Sequence, residues 1–278
     1  MHRRTFLASA TAGAGLALAG CLDSTDDTST PAGTDTATSQ SGVSVADIVV
    51  RKAVTYDSSM GSGGVLAERG RQYVVASVRS DRDLSPSAFT FEADGESWGP
   101  GLPDTEGAVN FAVAGREGGA VGSPLGGDHS YLAFAVPSPL SGSDARIRYD
   151  GPGGGEWPLP EAARDRLAAP EPEFELTELS VPETVSQGQP MTVSMTVENV
   201  AEADGRFLAA VYWPTELIAD DDESHVVERT VGAGEEISPS VRIDTAYTTD
   251  EDGAVTLRVR GHVRGEREVA VTDASRPD

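Results

Sequence analysis

The stretch MTVSMTVEN, residues 191–199, decides the fold class of this chain. Apolar Met191, Val193, Met195 and Val197 occupy alternate positions, and threonine, serine and glutamate fill the positions between them. A period of two places successive side chains on opposite faces of a strand, so that one face meets a core and the other meets solvent. The pattern therefore predicts a half-buried β-strand in a sheet that packs on another layer.

Segments of the same character lie on both sides of this strand. They are rich in β-branched or aromatic residues and are separated by turns: EFELTELSV (173–181), RFLAAVYW (206–213), HVVERTV (225–231), ISPSVRID (237–244) and VTLRVRGHV (255–263). Short strands at this spacing are typical of antiparallel sandwiches. We therefore predict a β-sandwich over 172–273, with a tail at 274–278.

A second set of strand-like segments precedes this one. VSVADIVVRKAVTY (43–56) predicts one bent or interrupted strand. The others follow between glycine-rich loops: QYVVASVRS (72–80), AFTFEA (88–93), AVNFAV (108–113), SYLAFAV (130–136) and ARIRYD (145–150). Together they predict a first β-sandwich over 43–158.

The part of the chain after residue 21 contains one convincing helical segment. EAARDRLAA (161–169) lies between Pro160, which suits a helix start, and Pro170, which ends a helix. We interpret 159–171 as a short helical connector. The predicted fold class is thus all-β, with two tandem immunoglobulin-like antiparallel β-sandwiches after a signal peptide and a disordered tether.

The only cysteine, Cys21, lies where an apolar N-terminus meets a polar segment. Residues 1–20 have a basic start and then a mildly apolar run that ends in small residues, which predicts a signal peptide because the run is too short for a membrane span. Residues 21–42 are rich in Ser, Thr, Asp and Gly and have no aromatic residue, so we expect a disordered tether.

Two motifs in this segment resemble known export signals. Arg3 and Arg4 resemble the twin-arginine signal. LAGC at 18–21 resembles the lipobox at which prokaryotic lipoproteins are cleaved and lipidated on cysteine. The resemblance implies an exported protein that lipidated Cys21 anchors to the outer face of the cytoplasmic membrane. The alternative is an ordinary signal peptide with a chance cysteine at its end.

The chain is strongly acidic, with 45 aspartate and glutamate residues against 21 lysine and arginine residues and a formal charge of −24. Cleavage before Cys21 removes Arg3 and Arg4, which leaves 19 basic residues and a charge of −26. Such a charge repels phosphate, so nucleic acid is not an expected partner. Only Lys52 is a lysine, and this composition resembles that of halophilic proteins, which predicts a fold that salt stabilises.

The segment VPETVSQGQPMTVSMTVENVAEADGRFLAAVYW (181–213) resembles the opening of a CARDB-like domain, an immunoglobulin-like module of prokaryotic surface proteins. The resemblance lies in a Gly-Gln turn, an alternating strand that ends in Glu-Asn, and an acidic-Gly turn. RGRQYVVASVRS (69–80), AFTFEADGESW (88–98) and GGDHSYLAFAVP (126–137) more loosely resemble an immunoglobulin-like domain of unknown function found in surface lipoproteins. Both resemblances imply extracellular binding or spacing, and neither implies catalysis.

The histidines of the sequence and its glycine-rich segments do not indicate an enzyme. His129, His225 and His262 form neither H-x-x-x-H nor H-E-x-x-H, and neither a P-loop nor a G-x-G-x-x-G motif occurs. We interpret His129 and His262 as solvated surface residues. We therefore expect no enzyme activity and no cofactor.

The densest polar feature is IADDDESH, in which Asp220, Asp221, Asp222 and Glu223 are consecutive acids. Carboxylate oxygens suit a hard cation, which makes these residues weak candidates for metal binding. Consecutive side chains point in different directions, however. A solvated hairpin loop is the favoured interpretation, and no metal site is predicted.

Four other residues are weak candidates for binding. Trp98 and Trp157 lie beside glycine and proline and are candidates for exposed contacts with a sugar, although the favoured interpretation is that they cover a sandwich end. Arg258 and Arg260 concentrate positive charge and are expected to share an outward face with His262, as a docking stripe for an acidic surface or glycan. The favoured alternative is pairing with acids on neighbouring strands.

These features together favour a non-catalytic cell-surface lipoprotein that acts as a protein- or glycan-binding or spacer module in the cell envelope. Its expected partners are the membrane, through the N-terminal lipid, and an unidentified envelope protein or glycan. The alternative is an accessory or solute-binding subunit of an envelope transport or secretion complex. A hydrolase assembled from distant loops is a third alternative.

Overall fold

The structure is a computed structural model, and it describes residues 39–40, 42–58, 63–103, 105, 110–124, 129–218 and 222–275. These residues belong to a single compact unit and form mainly β-strands in several antiparallel sheets. The predicted all-β sandwich class is therefore confirmed.

The N-terminal region, residues 39–170, contains three sheets. Its strands are β1 (Ser39–Gln40), β2 (Val43–Arg51), β3 (Val54–Ser58), β4 (Gly64–Leu66), β5 (Arg71–Ser80), β6 (Phe89–Ala93), β7 (Glu96–Trp98), β8 (Asn110–Val113), β9 (Arg116–Glu117), β10 (His129–Pro137), β11 (Arg146–Tyr149) and β12 (Gly155–Pro158). The sheet orders are β1-β2-β5-β10, β12-β11-β6-β7 and β4-β3-β8-β9. A 3-10 turn, Pro86–Ala88, precedes β6, and helix α1, Glu161–Ala168, follows β12.

Strand β5 is buried on both faces because its sheet lies between the other two. Val74 and Ala76 enter the N-terminal core with Phe91 of β6, whereas Tyr73 and Val75 enter a smaller cluster on the opposite face. This explains why the segment is almost continuously apolar rather than alternating. The predicted interruption of the preceding strand is also present, since β2 and β3 pair in different sheets.

Helix α1 belongs to the N-terminal core. Ala163 and Leu167 are buried in that core, and the Leu167 carbonyl accepts a hydrogen bond from Leu140 N at 3.0 Å. The segment interpreted as a connector thus packs its apolar face against the region that precedes it.

The C-terminal region, residues 171–275, contains two sheets. Its strands are β13 (Phe174–Ser180), β14 (Thr184–Ser186), β15 (Met191–Asn199), β16 (Gly205–Pro214), β17 (Asp222–Val231), β18 (Glu236–Ile237), β19 (Ser240–Ile243), β20 (Gly253–Gly261) and β21 (Gly265–Thr272). One sheet has the order β13-β15-β18, with β19 also on β15, and the other has the order β14-β21-β20-β16-β17. The pairs are antiparallel except β14 with β21.

The alternating strand predicted at 191–199 is β15. Met191, Val193, Met195 and Val197 are all at most 4% exposed and form the C-terminal core with residues of the facing sheet such as Trp213. A small buried cluster joins the two regions. It consists of Ala53 and Val65 from the N-terminal region and Leu208 and Ala210 from the C-terminal strand β16.

The Glu-Asn end of β15 has a specific structural role. Asn199 is fully buried, and its Nδ2 donates hydrogen bonds to the carbonyls of Ala203, Val231 and Gly232 at 2.9–3.0 Å. Its Oδ1 accepts a hydrogen bond from Ala201 N at 3.1 Å. One side chain thus closes two turns at the same end of the sandwich.

Candidate functional site

Several residues singled out in the sequence lie outside the described part of the chain. They are Arg3, Arg4, Cys21, Asp220 and Asp221. The export signal, the lipidation site and the centre of the acidic loop therefore stay predictions. Among the helices that the structure describes, none is long and apolar enough to cross a membrane.

The described part of the acidic loop begins at Asp222, the first residue of β17. The next residue, Glu223, pairs with His225, with 3.4 Å between Oε1 and Nε2. In the part of the chain that is described, no three histidine, cysteine or acidic residues are grouped to hold a metal ion.

The two candidate tryptophans belong to the N-terminal core. Trp157 is 4% exposed, and the partly buried Trp98 packs against the same cluster, with its ring 5.7 Å from that of Phe91. A ring enclosed by a core has no free face on which a sugar can stack. Trp157 is thus a core residue, which agrees with the favoured interpretation and not with the weaker one of an exposed contact.

Arg258 and Arg260 lie on β20 and make contacts within their own sheet. Arg258 Nε is 4.0 Å from Glu266 Oε1 on β21, and the Arg260 guanidinium lies over the ring of Tyr212, 5.9 Å from its centroid. These contacts correspond to the cross-strand alternative. Exposed pairs of this kind contribute less than about 1 kcal/mol each.

His262 does not share an outward face with these arginines. It lies in the turn after β20, where its ring contacts Phe174 and Phe207 at centroid distances of 5.2 and 6.2 Å. Its Nδ1 accepts a hydrogen bond from Leu208 N at 2.9 Å. Burial, with a smaller contribution from the charge of Arg206, lowers the pKa of His262 to about 4. The interpretation of His262 as a solvated surface residue is wrong, and the ring is neutral at pH 7.

The two regions meet at a junction that is built around backbone groups. Arg206 Nη1 donates to the Ala53 carbonyl at 3.0 Å, and Val65 N donates to the Tyr212 hydroxyl at 3.3 Å. A Cβ at Gly64 would clash with that hydroxyl, so a larger residue here would displace the Tyr212 side chain. These contacts position β16 of the C-terminal region against the bend after β2.

Lys52 ties this bend to the end of helix α1. Its Nζ donates to Gln72 Oε1 at 2.8 Å, to Ser138 Oγ at 2.9 Å and to the Ala169 carbonyl at 2.7 Å. Three acceptors match the three N–H groups of an ammonium. Burial lowers the pKa of Lys52 to about 8, against the opposing effect of the Glu171 carboxylate. The only lysine of the chain therefore fixes the point at which the chain passes into the C-terminal region.

A cavity of about 420 Å³, here called the junction cleft, lies beside these contacts and is lined by residues 50–53, 166, 169–172 and 201–206. A neighbouring cavity of about 610 Å³ shares part of its lining. Three arginines line both cavities: Arg51, Arg166 and Arg206.

The arginines of the junction cleft differ in their partners. Arg206 Nε donates to Glu228 Oε1 at 2.6 Å, and this hydrogen bond lowers the pKa of Glu228. Arg51 is half-buried, and burial lowers its pKa, followed by repulsion from Arg166, Arg206 and Arg116. The junction cleft thus concentrates like charges that lie close enough to affect each other, in a chain that is otherwise acidic.

Reasoning from the sequence missed this cleft. Its arginines are 115 and 40 residues apart along the chain, at positions 51, 166 and 206, and they belong to no local motif. The available signal was Lys52, because a single lysine beside an arginine at a strand break is unusual in so acidic a chain.

No known family model matches the sequence, and no curated protein matches it. Among solved structures, a β-glucosidase from Listeria innocua in complex with gluconolactone is 20% identical, with 38% of this chain and 17% of that one covered and a TM-score of 0.33. A β-glucosidase from Erythrobacter marinus is 12% identical, with coverage of 36% and 16% and a TM-score of 0.31.

An alkylpurine DNA glycosylase from Pseudomonas fluorescens, bound to DNA that contains an abasic site analog, is 18% identical, with 40% of this chain and 33% of that one covered and a TM-score of 0.29. This chain therefore spans a third or less of each of these structures. Overlaps as low as these carry no argument about the activity or the partners of this protein.

Proposed function

We propose that this chain is a non-catalytic lipoprotein on the outer face of the cytoplasmic membrane, whose folded part is a binding or spacer module of the cell envelope. The Arg3-Arg4 pair, the LAGC motif and the polar segment after Cys21 support the anchoring part of the proposal. The partner is an envelope protein or glycan.

The junction is the observation that carries the binding part of the proposal. Lys52, Arg206 and Tyr212 use polar contacts to hold the bend after β2, the end of α1 and strand β16 in one arrangement. A binding surface made from two regions needs such a fixed arrangement, because free rotation between them would cost ordering entropy on binding. Four basic and three acidic residues line the junction cleft, a balance that favours an anion more than the acidic chain as a whole does.

One observation favours the alternative role, that of an accessory or solute-binding subunit of an envelope transport or secretion complex. The junction cleft, at about 420 Å³, falls in the size range of small-ligand pockets. In that case the junction would hold a solute instead of one group of a larger partner.

Replacement of Cys21 by alanine tests the anchor. We expect wild-type protein to sediment with membranes and to partition into detergent, because two acyl chains anchor stably where one is marginal. The Cys21→Ala variant should move to the soluble fraction or keep its precursor mass. Ser24→Ala, in the same segment, is the control and should behave as wild type. A Cys21→Ala variant that is processed and fractionated as wild type would contradict the lipoprotein proposal.

A further inference from the structure

Arg51 is half-buried, and no described carboxylate forms an ion pair with it, although the charge of Glu228 attracts it from a greater distance. Its Nη1 donates to the Val50 carbonyl at 3.1 Å. No carboxylate of the described residues lies within 4.0 Å of its guanidinium. A charge that is taken out of water without a counter-charge is costly, so Arg51 favours an anion beside it.

The other basic groups around Arg51 leave one more guanidinium available. Arg206 is committed to Glu228 and to the Ala53 carbonyl. Arg166 on helix α1 is exposed and, within the described part of the chain, forms no ion pair. Arg51 and Arg166 therefore face the cleft as two positive groups from two different elements.

Three acidic residues line the cleft as well, Glu171, Glu202 and Asp204. Two of them bind backbone amides. Glu171 Oε2 accepts a hydrogen bond from Gly70 N at 3.1 Å. Asp204 Oδ1 accepts one from Ala233 N at 3.2 Å. These carboxylates stabilise turns of the chain and do not neutralise Arg51, although the chain has more than twice as many acidic as basic residues.

We infer that the junction cleft binds a small organic carboxylate, held by the guanidinium groups of Arg51 and Arg166. A guanidinium presents paired N–H groups that match the two oxygens of a carboxylate. The remaining lining includes the small apolar residues Ala53, Ala169 and Pro170. They suit a ligand whose part other than the carboxylate is small and uncharged. This inference rests on the proposed binding function and adds the chemical class of the ligand.

The carboxylate can belong to a free solute or to the acidic sugars of a glycan, and the same guanidinium groups would recognise both. Glucuronate serves as the free probe and a short oligoglucuronate as the polymeric one, with glucose as the neutral control. Tighter binding of the oligomer at equal carboxylate concentration would indicate the glycan source. Equal or weaker binding of the oligomer would indicate the free solute.

Isothermal titration of the full chain in detergent, at moderate salt and with the fold checked by circular dichroism, tests the inference. We expect wild-type protein to bind glucuronate and not glucose. Arg166→Gln should weaken glucuronate binding by about tenfold or more, since it removes charge-assisted hydrogen bonds. Arg51→Gln should weaken it further, because Arg51 is the more buried group.

The matched control is Arg242→Gln, which removes the same charge from an exposed position on β19 outside the cleft. This variant should bind glucuronate within about twofold of wild type, as expected for a remote and screened charge. Absence of glucuronate binding by wild type, equal binding of glucose, or equal weakening by Arg242→Gln and Arg166→Gln would each overturn the inference. Since Arg166 is exposed, its replacement leaves folding intact even where Arg51→Gln does not.

The two proposals fail in different experiments. If wild-type protein fractionates with membranes but does not bind glucuronate, the inferred ligand is wrong and the lipoprotein proposal stands. If wild-type protein is soluble but binds glucuronate, the proposed anchor is wrong and the inferred ligand of the cleft stands.

Discussion

Asn199, which is fully buried, and Lys52, which is half-buried, both bind several partners, but Asn199 binds neighbouring turns and Lys52 binds separate elements. The Asn199 amide bonds four backbone groups in two neighbouring turns of the C-terminal region. The Lys52 ammonium bonds two side chains and one carbonyl that come from two strand ends and the end of a helix. The first closes one end of a sandwich, and the second fixes how separate elements meet.

The difference follows from charge and from sequence distance. A neutral amide can be buried at little cost when all its groups are bonded. A buried ammonium needs several acceptors at once to offset its lost hydration, and these lie 20, 86 and 117 residues from Lys52. The partners of Lys52 therefore come together only in the folded chain. The strand that ends at Asn199, in contrast, can be predicted from its own residues.

Replacement of Lys52 by methionine should have the largest effect on stability. Lys52→Met leaves the fully buried Gln72 side chain and the Ala169 carbonyl each short of a donor, and we expect a loss of about 4 kcal/mol in unfolding free energy. Urea denaturation of the full chain at fixed salt measures this loss. Arg242→Met, at an exposed position, should change the unfolding free energy by about 0.5 kcal/mol or less. If Lys52→Met lowers the unfolding free energy by less than about 1 kcal/mol, the hydrogen bonds of the ammonium contribute little to stability.

Replacement of Asn199 by alanine should have the next largest effect. Asn199→Ala removes four hydrogen bonds from buried turns, and we expect a loss of about 3 kcal/mol. The same denaturation experiment measures it, with Asn110→Ala as the control. Asn110 is only partly buried and bonds side chains such as Ser58, so its removal should cost about 1 kcal/mol. Equal losses for the two asparagines would show that the turns find other partners.

The sequence predicted those features that repeat locally. The alternation at 191–199 specified a strand and its buried face correctly, and the segment at 161–169 specified a helix, observed at Glu161–Ala168. The burial of Trp157 was harder to read, because neighbouring glycine and proline indicate a loop irrespective of what packs over it.

The candidate site could not be predicted, because it is made of residues that only the assembled fold brings together. Arg51, Arg166 and Arg206 come from β2, α1 and β16, and each looks like an ordinary surface charge in its own segment. The prediction that His262 is a solvated surface residue failed for a related reason. Gly261, with φ 150°, ends the alternation of β20, so the polar phase of the strand no longer describes the next residue.

His262 provides the smallest expected effect, a loss of stability that depends on pH. Its pKa is lowered from 6.5 to about 4 in the folded chain, so between these values the unfolded chain binds a proton that the folded chain does not. Stability from this group is therefore present above pH 6.5 and is lost as the pH falls toward 4. From pH 7 to pH 5 the loss should be about 2 kcal/mol.

Comparison with His262→Asn isolates this contribution from that of the many carboxylates. Asparagine keeps a short acceptor for Leu208 N but does not titrate, so the variant should lose less stability than wild type between pH 7 and pH 5. His129→Asn, at an exposed histidine, should leave the wild-type slope unchanged. Parallel pH profiles for wild type and His262→Asn would mean that His262 is solvated after all. In that case the contacts of the ring with Phe174 and Phe207 would not exclude water from the imidazole.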